Sequence, residues 1–324
     1  MIAGGSAGPT IGEIGEFALI DAILQSVPAD PDRTRTVVGP GDDAAVLAAR
    51  GEVVLATDAM VEGVHFRRDW SEPGDIGRKV VAVNVADLEA MGATPVGLML
   101  SLSAPADLPL SWVTAFRDGV LAECETAGIR LIGGDTTAST VLTIVGSTFG
   151  DMEGRTPLTR SGATVGQKVA VKGRLGWAAA GLRALSRGFR SPRVVVEAQR
   201  CPEVPYGAGR EAVAAGATSL IDVSDGLVAD LGHVANASGV SIELTTANLD
   251  IAEPLQAVAS ATGGDPVQLV LTGGEDHALV GTFETVPAGW VELGVVTEAG
   301  EAGSQVLVDG EVPDWPSGHD HFAR

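Results

Sequence analysis

Residues 142–173 read LTIVGSTFGDMEGRTPLTRSGATVGQKVAVKG. An apolar, β-branched run at 142–151 gives way to EGRTPLTRSGATVGQ at 153–167, where turn formers concentrate, and then to a second strand-like run, KVAVKG. A strand that ends one body and a strand that begins another, with turns between, place a boundary here. The chain therefore divides into an N-terminal domain over 1–155 and a C-terminal domain over 156–324. A length of 324 residues agrees, since domains commonly run to about 150 residues.

Working outward, the spacing of Ile14, Phe17, Ala18 and Ile20 predicts a helix over 13–25. EVVLATD at 52–58 reads as a buried strand, 75–91 as a helix apolar on nearly every side, 95–104 as a strand and 110–127 as a helix. In the other direction come alanine-rich helices at 176–186 and 206–215 and a strand entering IDVSDGL. A helix to Ala237, strand SIELTT, a helix over 252–261, strand VQLVLTGGED and short strands near 291–308 follow. Strands and helices mixed through both halves make the fold class α/β (α+β).

Composition narrows the partners. Hydrophobic residues are 45% and charged residues 19% of the chain, a globular balance. The formal net charge of −21, with lysine only at Lys79, Lys168 and Lys172, argues against nucleic acid and anionic membranes, which require clustered cations. Cys124 and Cys201 have neither a disulfide framework nor metal-ligand spacing. The N-terminus lacks a basic region followed by an apolar one, and no apolar run approaches about 20 residues, so the expected location is the cytoplasm.

Aspartates recur where apolar runs meet glycine or a small residue: Asp42 and Asp43 in GPGDDAAVL, Asp58 in VVLATDAMVEGVHF, Asp135 in LIGGDTT, Asp222 and Asp225 in LIDVSDGL, and Asp276 in LTGGEDHAL. Each alone reads as an ordinary turn. Together they have another reading, because strand ends in α/β architectures converge on a ligand crevice. Carboxylates gathered there repel one another unless cations intervene, and oxygen-only ligation suits Mg²⁺. Asp87 lies in a helix whose middle is apolar all round, with Asn84 one turn earlier on the same side. It either pairs with Lys79 or faces the other aspartates.

No GxxxxGK[ST] loop is present. Gly133-Gly134 and Gly273-Gly274 are the places where backbone N–H groups could approach phosphate, and Arg160 in PLTRSGA is the candidate cation for a triphosphate. His65, His319 and His321 are the remaining conspicuous polar positions. No GxSxG, HExxH or Cys/His pair points to a hydrolase or a zinc site.

Taken in order, GDDAAVL, TDAMVEGVHF, NVADLEAMGA, LIGGDTT, LTRSGA, IDVSDGL, GGEDHAL and the terminal GHDHF resemble the thiamine-monophosphate kinase family. GGDT alone resembles the wider group that includes aminoimidazole ribonucleotide synthetase. The resemblance implies ATP-dependent, Mg²⁺-assisted, in-line phosphorylation of thiamine monophosphate to thiamine diphosphate, with ATP as co-substrate and no general base. It implies a homodimer built on the N-terminal sheet and a C-terminal domain that closes over ATP. It assigns Asp42, Ala56 (through its carbonyl), Thr57, Asp58, Asp87, Asp135, Asp222 and Asp225 to several Mg²⁺ ions. Gly134, Asp135, Arg160 and Ser224 fall to ATP, and His65, Glu275 and His319 to the thiamine phosphate. Three positions depart from the family pattern: Ala56 for a serine, His319 for an aromatic residue, and Arg117 where an aromatic often lies against adenine.

Overall fold

A computed structural model of the chain describes residues 8–28, 35–41, 43–315 and 318. Asp42, His319 and His321 lie outside the described residues. The chain forms two compact units, Met1–Val85 with Pro95–Asp151, and Ala86–Thr94 with Met152–Arg324. The main division thus falls at Asp151, and a nine-residue excursion, 86–94, is counted with the second unit.

In the first unit the predicted N-terminal helix is two, α1 (Ile11–Ile14) and α2 (Glu16–Leu24), parted at Gly15. The break is glycine's doing: Gly15 has φ 81°, a left-handed conformation closed to most side chains. A short hairpin of β1 (Thr36–Val38) and β2 (Val46–Leu47) precedes β3 (Val53–Val61), α3 (Pro73–Ala90), β4 (Thr94–Ala104), α4 (Leu110–Ala127), β5 (Arg130–Ala138) and β6 (Thr143–Asp151). β3, β4, β5 and β6 form one sheet in the order β3-β6-β4-β5. β3 and β6 pair antiparallel from Val53↔Asp151 to Val61↔Thr143, and β4 and β5 pair parallel. Ile76, Val80, Val83 and Val85 of α3, Val113, Phe116 and Val120 of α4, and Leu98, Leu102, Ile132 and Ile144 of the sheet are buried.

The second unit holds β7 (Lys168–Lys172), α5 (Trp177–Ser186), α6 (Arg193–Arg200), α7 (Ala208–Ala214), β8 (Ser219–Asp222), α8 (Leu227–Ser238), β9 (Val240–Leu244), α9 (Glu253–Thr262), α10 (Pro266–Thr272), β10 (Leu279–Phe283), β11 (Val291–Glu298) and β12 (Val306–Val308). Its sheet runs β12-β9-β11-β7-β10-β8, antiparallel except for β12 on β9. Period-2 alternation sends Val169, Val171, Ile221 and Val280 into one apolar cluster and Ala170, Leu220, Leu279 and Phe283 into another, so both faces of this sheet are covered.

Three expectations are corrected here. EVVLATD, expected as a buried strand, lies in edge strand β3, where Val53 and Leu55 are exposed. VQLVLT, expected as a strand, is helix α10, because Asp265 caps it by accepting the N–H of Val267 at 2.9 Å and Pro266 occupies its first turn. LIGGDTT, expected to turn at its glycines, instead runs on as β5 to Ala138, with Gly133, Gly134 and Asp135 paired to Met99, Leu100 and Ser101.

Candidate active site

The first unit presents its candidate residues on strands. Asp58 is half-buried near the middle of β3, and its backbone N–H donates to Oδ1 of Asn84 at 3.0 Å. Asn84 is wholly buried on α3 and uses its other amide atom on the carbonyl of Val80, so the helix fixes the strand at the residue that carries the carboxylate. Sequence reading noticed Asn84 as a neighbour of Asp87 and missed this contact across 26 positions. Alternation puts Ala56 and Asp58 on one face of β3 and Thr57 on the other. Thr57 spends its hydroxyl on the carbonyl of Gly146 at 2.7 Å, so the side chains of Thr57 and Asp58 are not brought together.

Asp135 is exposed on β5, and two strands lie between it and Asp58 in the sheet order. Three strand spacings amount to about 14 Å. The two carboxylates therefore occupy opposite edges of one sheet and do not meet at strand ends as expected. Gly134 is required by the protein's own backbone, since a Cβ there would stand 2.0 Å from the carbonyl oxygen of Leu100. Beside it opens a mainly apolar cavity of about 280 Å³ lined by Ile23, Leu102, Phe116, Arg117, Gly134 and Asp135. Arg117 is held at its wall by the carbonyl of Ala22 at 2.5 Å and by Asp118. His65 takes the N–H of Val61 on Nδ1 at 3.1 Å, which leaves its proton on Nε2. Its carbonyl accepts from the buried ammonium of Lys79. Asp43 is exposed in the turn before β2.

In the second unit the residues sit in the turn between β8 and α8. Asp222 ends β8, buried, with Oδ2 2.9 Å from Nδ1 of His277. Ser224 and Asp225 follow, half-buried. Asp230, one turn into α8, accepts the N–H groups of Ser224, Asp225 and Gly226 on a single oxygen. Burial, and secondarily the charge of Asp222, pushes its carboxyl up to about 7. Opposite this turn, Glu275 and His277 adopt φ of 66° and 51°, and their N–H groups donate to the carbonyls of Ser224 and Val223. Asp276 between them points away and caps α5 through the N–H groups of Gly176 and Ala178. Burial outweighs those two bonds and raises its carboxyl to about 7. Sequence reading passed over both Asp230 and His277; two non-glycine residues at positive φ, the usual mark of a constrained site, are visible only in the backbone.

Arg160 is exposed, and its loop is organised by Ser238, whose hydroxyl donates to the Arg160 carbonyl and accepts the N–H groups of Gly162 and Ala163. Ser238 ends α8 and Gly226 precedes it, so about 18 Å of helix separates the Arg160 anchor from the Ser224 turn. Asp87 is half-buried on the last turns of α3, where Glu89 accepts the N–H groups of Gly207 and Gly209.

The donor set is oxygen only. Among the described residues no three His, Cys, Asp or Glu side chains gather closely enough to hold a metal by themselves. One or two carboxylates per site fit Mg²⁺, which keeps water and shares its shell with phosphate, and do not fit a cation that requires an all-protein cage.

Residues 41–152 match the model of the AIR synthase related protein, N-terminal domain. Over 306 residues the chain is 44% identical to a thiamine-monophosphate kinase of Mycobacterium tuberculosis (strain H37Rv), covering 94% of this chain and 90% of the relative. Its identity to a thiamine-monophosphate kinase of Corynebacterium glutamicum is 37%, covering 97% and 96%. A solved structure described as AaThiL complexed with AMPPCP and TMP superposes with a TM-score of 0.78 at 34% identity, covering 96% of this chain and 98% of that one. At such identity over nearly the whole length, the chain belongs to the thiamine-monophosphate kinase family.

Proposed function

We propose that the protein transfers the terminal phosphoryl group of ATP to thiamine monophosphate, giving ADP and thiamine diphosphate. The observation that carries this is the oxygen-only turn Asp222-Val223-Ser224-Asp225, fixed by Asp230 and His277, in a chain related over its length to thiamine-monophosphate kinases. Asp222 and Asp225 in one unit, and Asp58 and Asp135 in the other, are the proposed metal carboxylates. Asp42, Asp87 and the backbone carbonyls of Ala56 and Thr57 complete the assignment, the Thr57 hydroxyl being bonded to the carbonyl of Gly146. Bound Mg²⁺ would neutralise the two polyanions and align donor with acceptor.

The protein's own residues do the rest. The cavity beside Gly134 and Asp135 takes the flat adenine base, with Arg117 at its wall in place of an aromatic ring. Ser224 offers its hydroxyl to the triphosphate, and Arg160 its guanidinium. His65, through Nε2–H, with Glu275 and His319, holds the thiamine phosphate. No residue needs to act as general base, because a phosphate monoester with a second pKa near 6 is already largely dianionic at neutral pH.

A homodimer built on the first unit's sheet is supported by β3. That edge strand exposes Val53 at 52% and Leu55 at 65% on one face. No helix among the described residues is long and apolar enough to cross a membrane. A charge of −21 disfavours nucleic acid, and the cytoplasm is the proposed location. Incubating the purified protein with ATP, Mg²⁺ and thiamine monophosphate should yield ADP and thiamine diphosphate in equal amounts. ADP without thiamine diphosphate, or neither product at saturating substrate, would refute the assignment.

A further inference from the structure

From Val223 to Gly226 every backbone N–H is consumed inside the chain. The N–H of Val223 donates to the carbonyl of Ala278 at 2.8 Å. Those of Ser224, Asp225 and Gly226 converge on Oδ2 of Asp230 at 3.1, 3.1 and 3.0 Å. Successive N–H groups aimed at one point make an anion-binding concavity, the same device that elsewhere grips phosphate directly. Here a side chain from the first turn of α8, 2% exposed, already fills it. The turn is also held from outside. Gly226 stands at φ 131°, where a Cβ would meet the carbonyl oxygen of Thr272 at 2.7 Å, and the carbonyl of Ser224 is committed to the N–H of Glu275.

We infer that Asp230 is a positioning residue, the resident hydrogen-bond acceptor of this concavity, and that by occupying it Asp230 makes the Ser224–Gly226 turn present only oxygens to the ligand. A turn so arranged repels bare phosphate and accepts phosphate that arrives with a cation. The carboxylates of Asp222 and Asp225 then meet no competing backbone N–H from the turn, and the shape of the turn, not contact with substrate, is what Asp230 contributes. The inference rests on the assignment of Asp222 and Asp225 as metal ligands.

Two variants test it. Asp230→Ala empties the concavity, and Asp230→Asn keeps an acceptor oxygen of the same shape without the charge. In metal-free buffer, added formate should raise the melting temperature of Asp230→Ala by about 3 °C or more and leave the parent protein unmoved, because a small anion binds only where the carboxylate has been removed. Calorimetric titration of Mg²⁺ in the presence of a non-hydrolysable ATP analogue should show affinity falling about threefold in Asp230→Asn and about tenfold in Asp230→Ala, with formate restoring part of the latter. Turnover should follow the same order at limiting Mg²⁺, while the KM for thiamine monophosphate stays within about twofold. A formate-insensitive Asp230→Ala overturns the concavity. Unchanged Mg²⁺ affinity in folded Asp230→Asn overturns the positioning role, and that variant decides the matter if Asp230→Ala does not fold. Failure of the parent itself to bind Mg²⁺ with the analogue would refute the ligand assignment, and the formate response would still report on the concavity.

Discussion

Asp58 and Asp225 carry the same functional group in the two units and are held by opposite means. Asp58 stands inside a nine-residue strand whose register against β6 is continuous, and a single buried amide, Asn84, pins its backbone from the helix behind. Asp225 stands in a turn with no ladder to hold it, and the chain supplies an internal carboxylate, a histidine on Asp222 and two residues at positive φ to do what the sheet does elsewhere. A carboxylate on a strand is fixed by hydrogen bonds the fold makes anyway. A carboxylate in a turn needs dedicated polar partners, and one of them here, Asp230, is a buried carboxyl raised to about 7.

The largest expected effect comes from removing Asp222, the buried carboxylate of the turn proposed to hold metal. Asp222→Ala should lower turnover by about a hundredfold or more, since metal-assisted charge stabilisation is worth several kcal/mol. A smaller loss, measured with circular dichroism unchanged, would mean that Asp222 only anchors His277. Next, on the proposed homodimer, Leu55→Asp on the exposed face of β3 should sediment as a monomer where the parent sediments as a dimer. A dimer that survives the substitution would place the interface elsewhere. On the strand side, Asn84→Ala leaves the N–H of Asp58 and the carbonyl of Val80 without their side-chain partner, at a cost of about 1–3 kcal/mol in denaturant unfolding and a matching fall in turnover. Loss of stability without loss of turnover would detach Asn84 from the site.

Asp276 gives a pH test of the turn side. Its carboxyl is raised to about 7, so between about pH 4 and 7 the folded chain keeps a proton that the unfolded chain has lost. Stability must then decline as pH rises through that window. Asp276→Asn mimics the protonated form, so its melting temperature relative to the parent should rise from pH 5 to pH 8; a constant difference would mean that Asp276 is ionised throughout. The smallest effect is expected at Thr57. Its hydroxyl faces away from Asp58 and is bonded to Gly146, so Thr57→Val should change turnover by no more than about threefold.

The difference between the units also governs what the sequence could reveal. The apolar run 95–104 and the helically spaced apolar residues of 110–127 carry enough local signal to place β4 and α4 nearly to the residue. VQLVLT is apolar without a period, and its helical state is set by the Asp265-Pro266 start, a signal present in the sequence and outweighed there by the β-branched run. GGD reads as a turn unless one knows that β4 lies alongside, close enough to exclude any side chain at Gly134. The carboxylates themselves were legible because Asp, Gly and small residues recur together. Their supports were not: Asn84 reaches Asp58 across 26 positions and His277 reaches Asp222 across 55. Asp230 is close in sequence, yet it reads as one more polar residue on an amphipathic helix until its three N–H partners are seen.

The proposed function gives each unit metal-binding carboxylates, and its direct measurement is the formation of thiamine diphosphate by Asp58→Asn and Asp225→Asn against the concentration of Mg²⁺. Both variants should remain folded, lose most of their turnover and recover part of it as Mg²⁺ is raised. Near-normal turnover in either one, at low Mg²⁺, would contradict the claim for its unit.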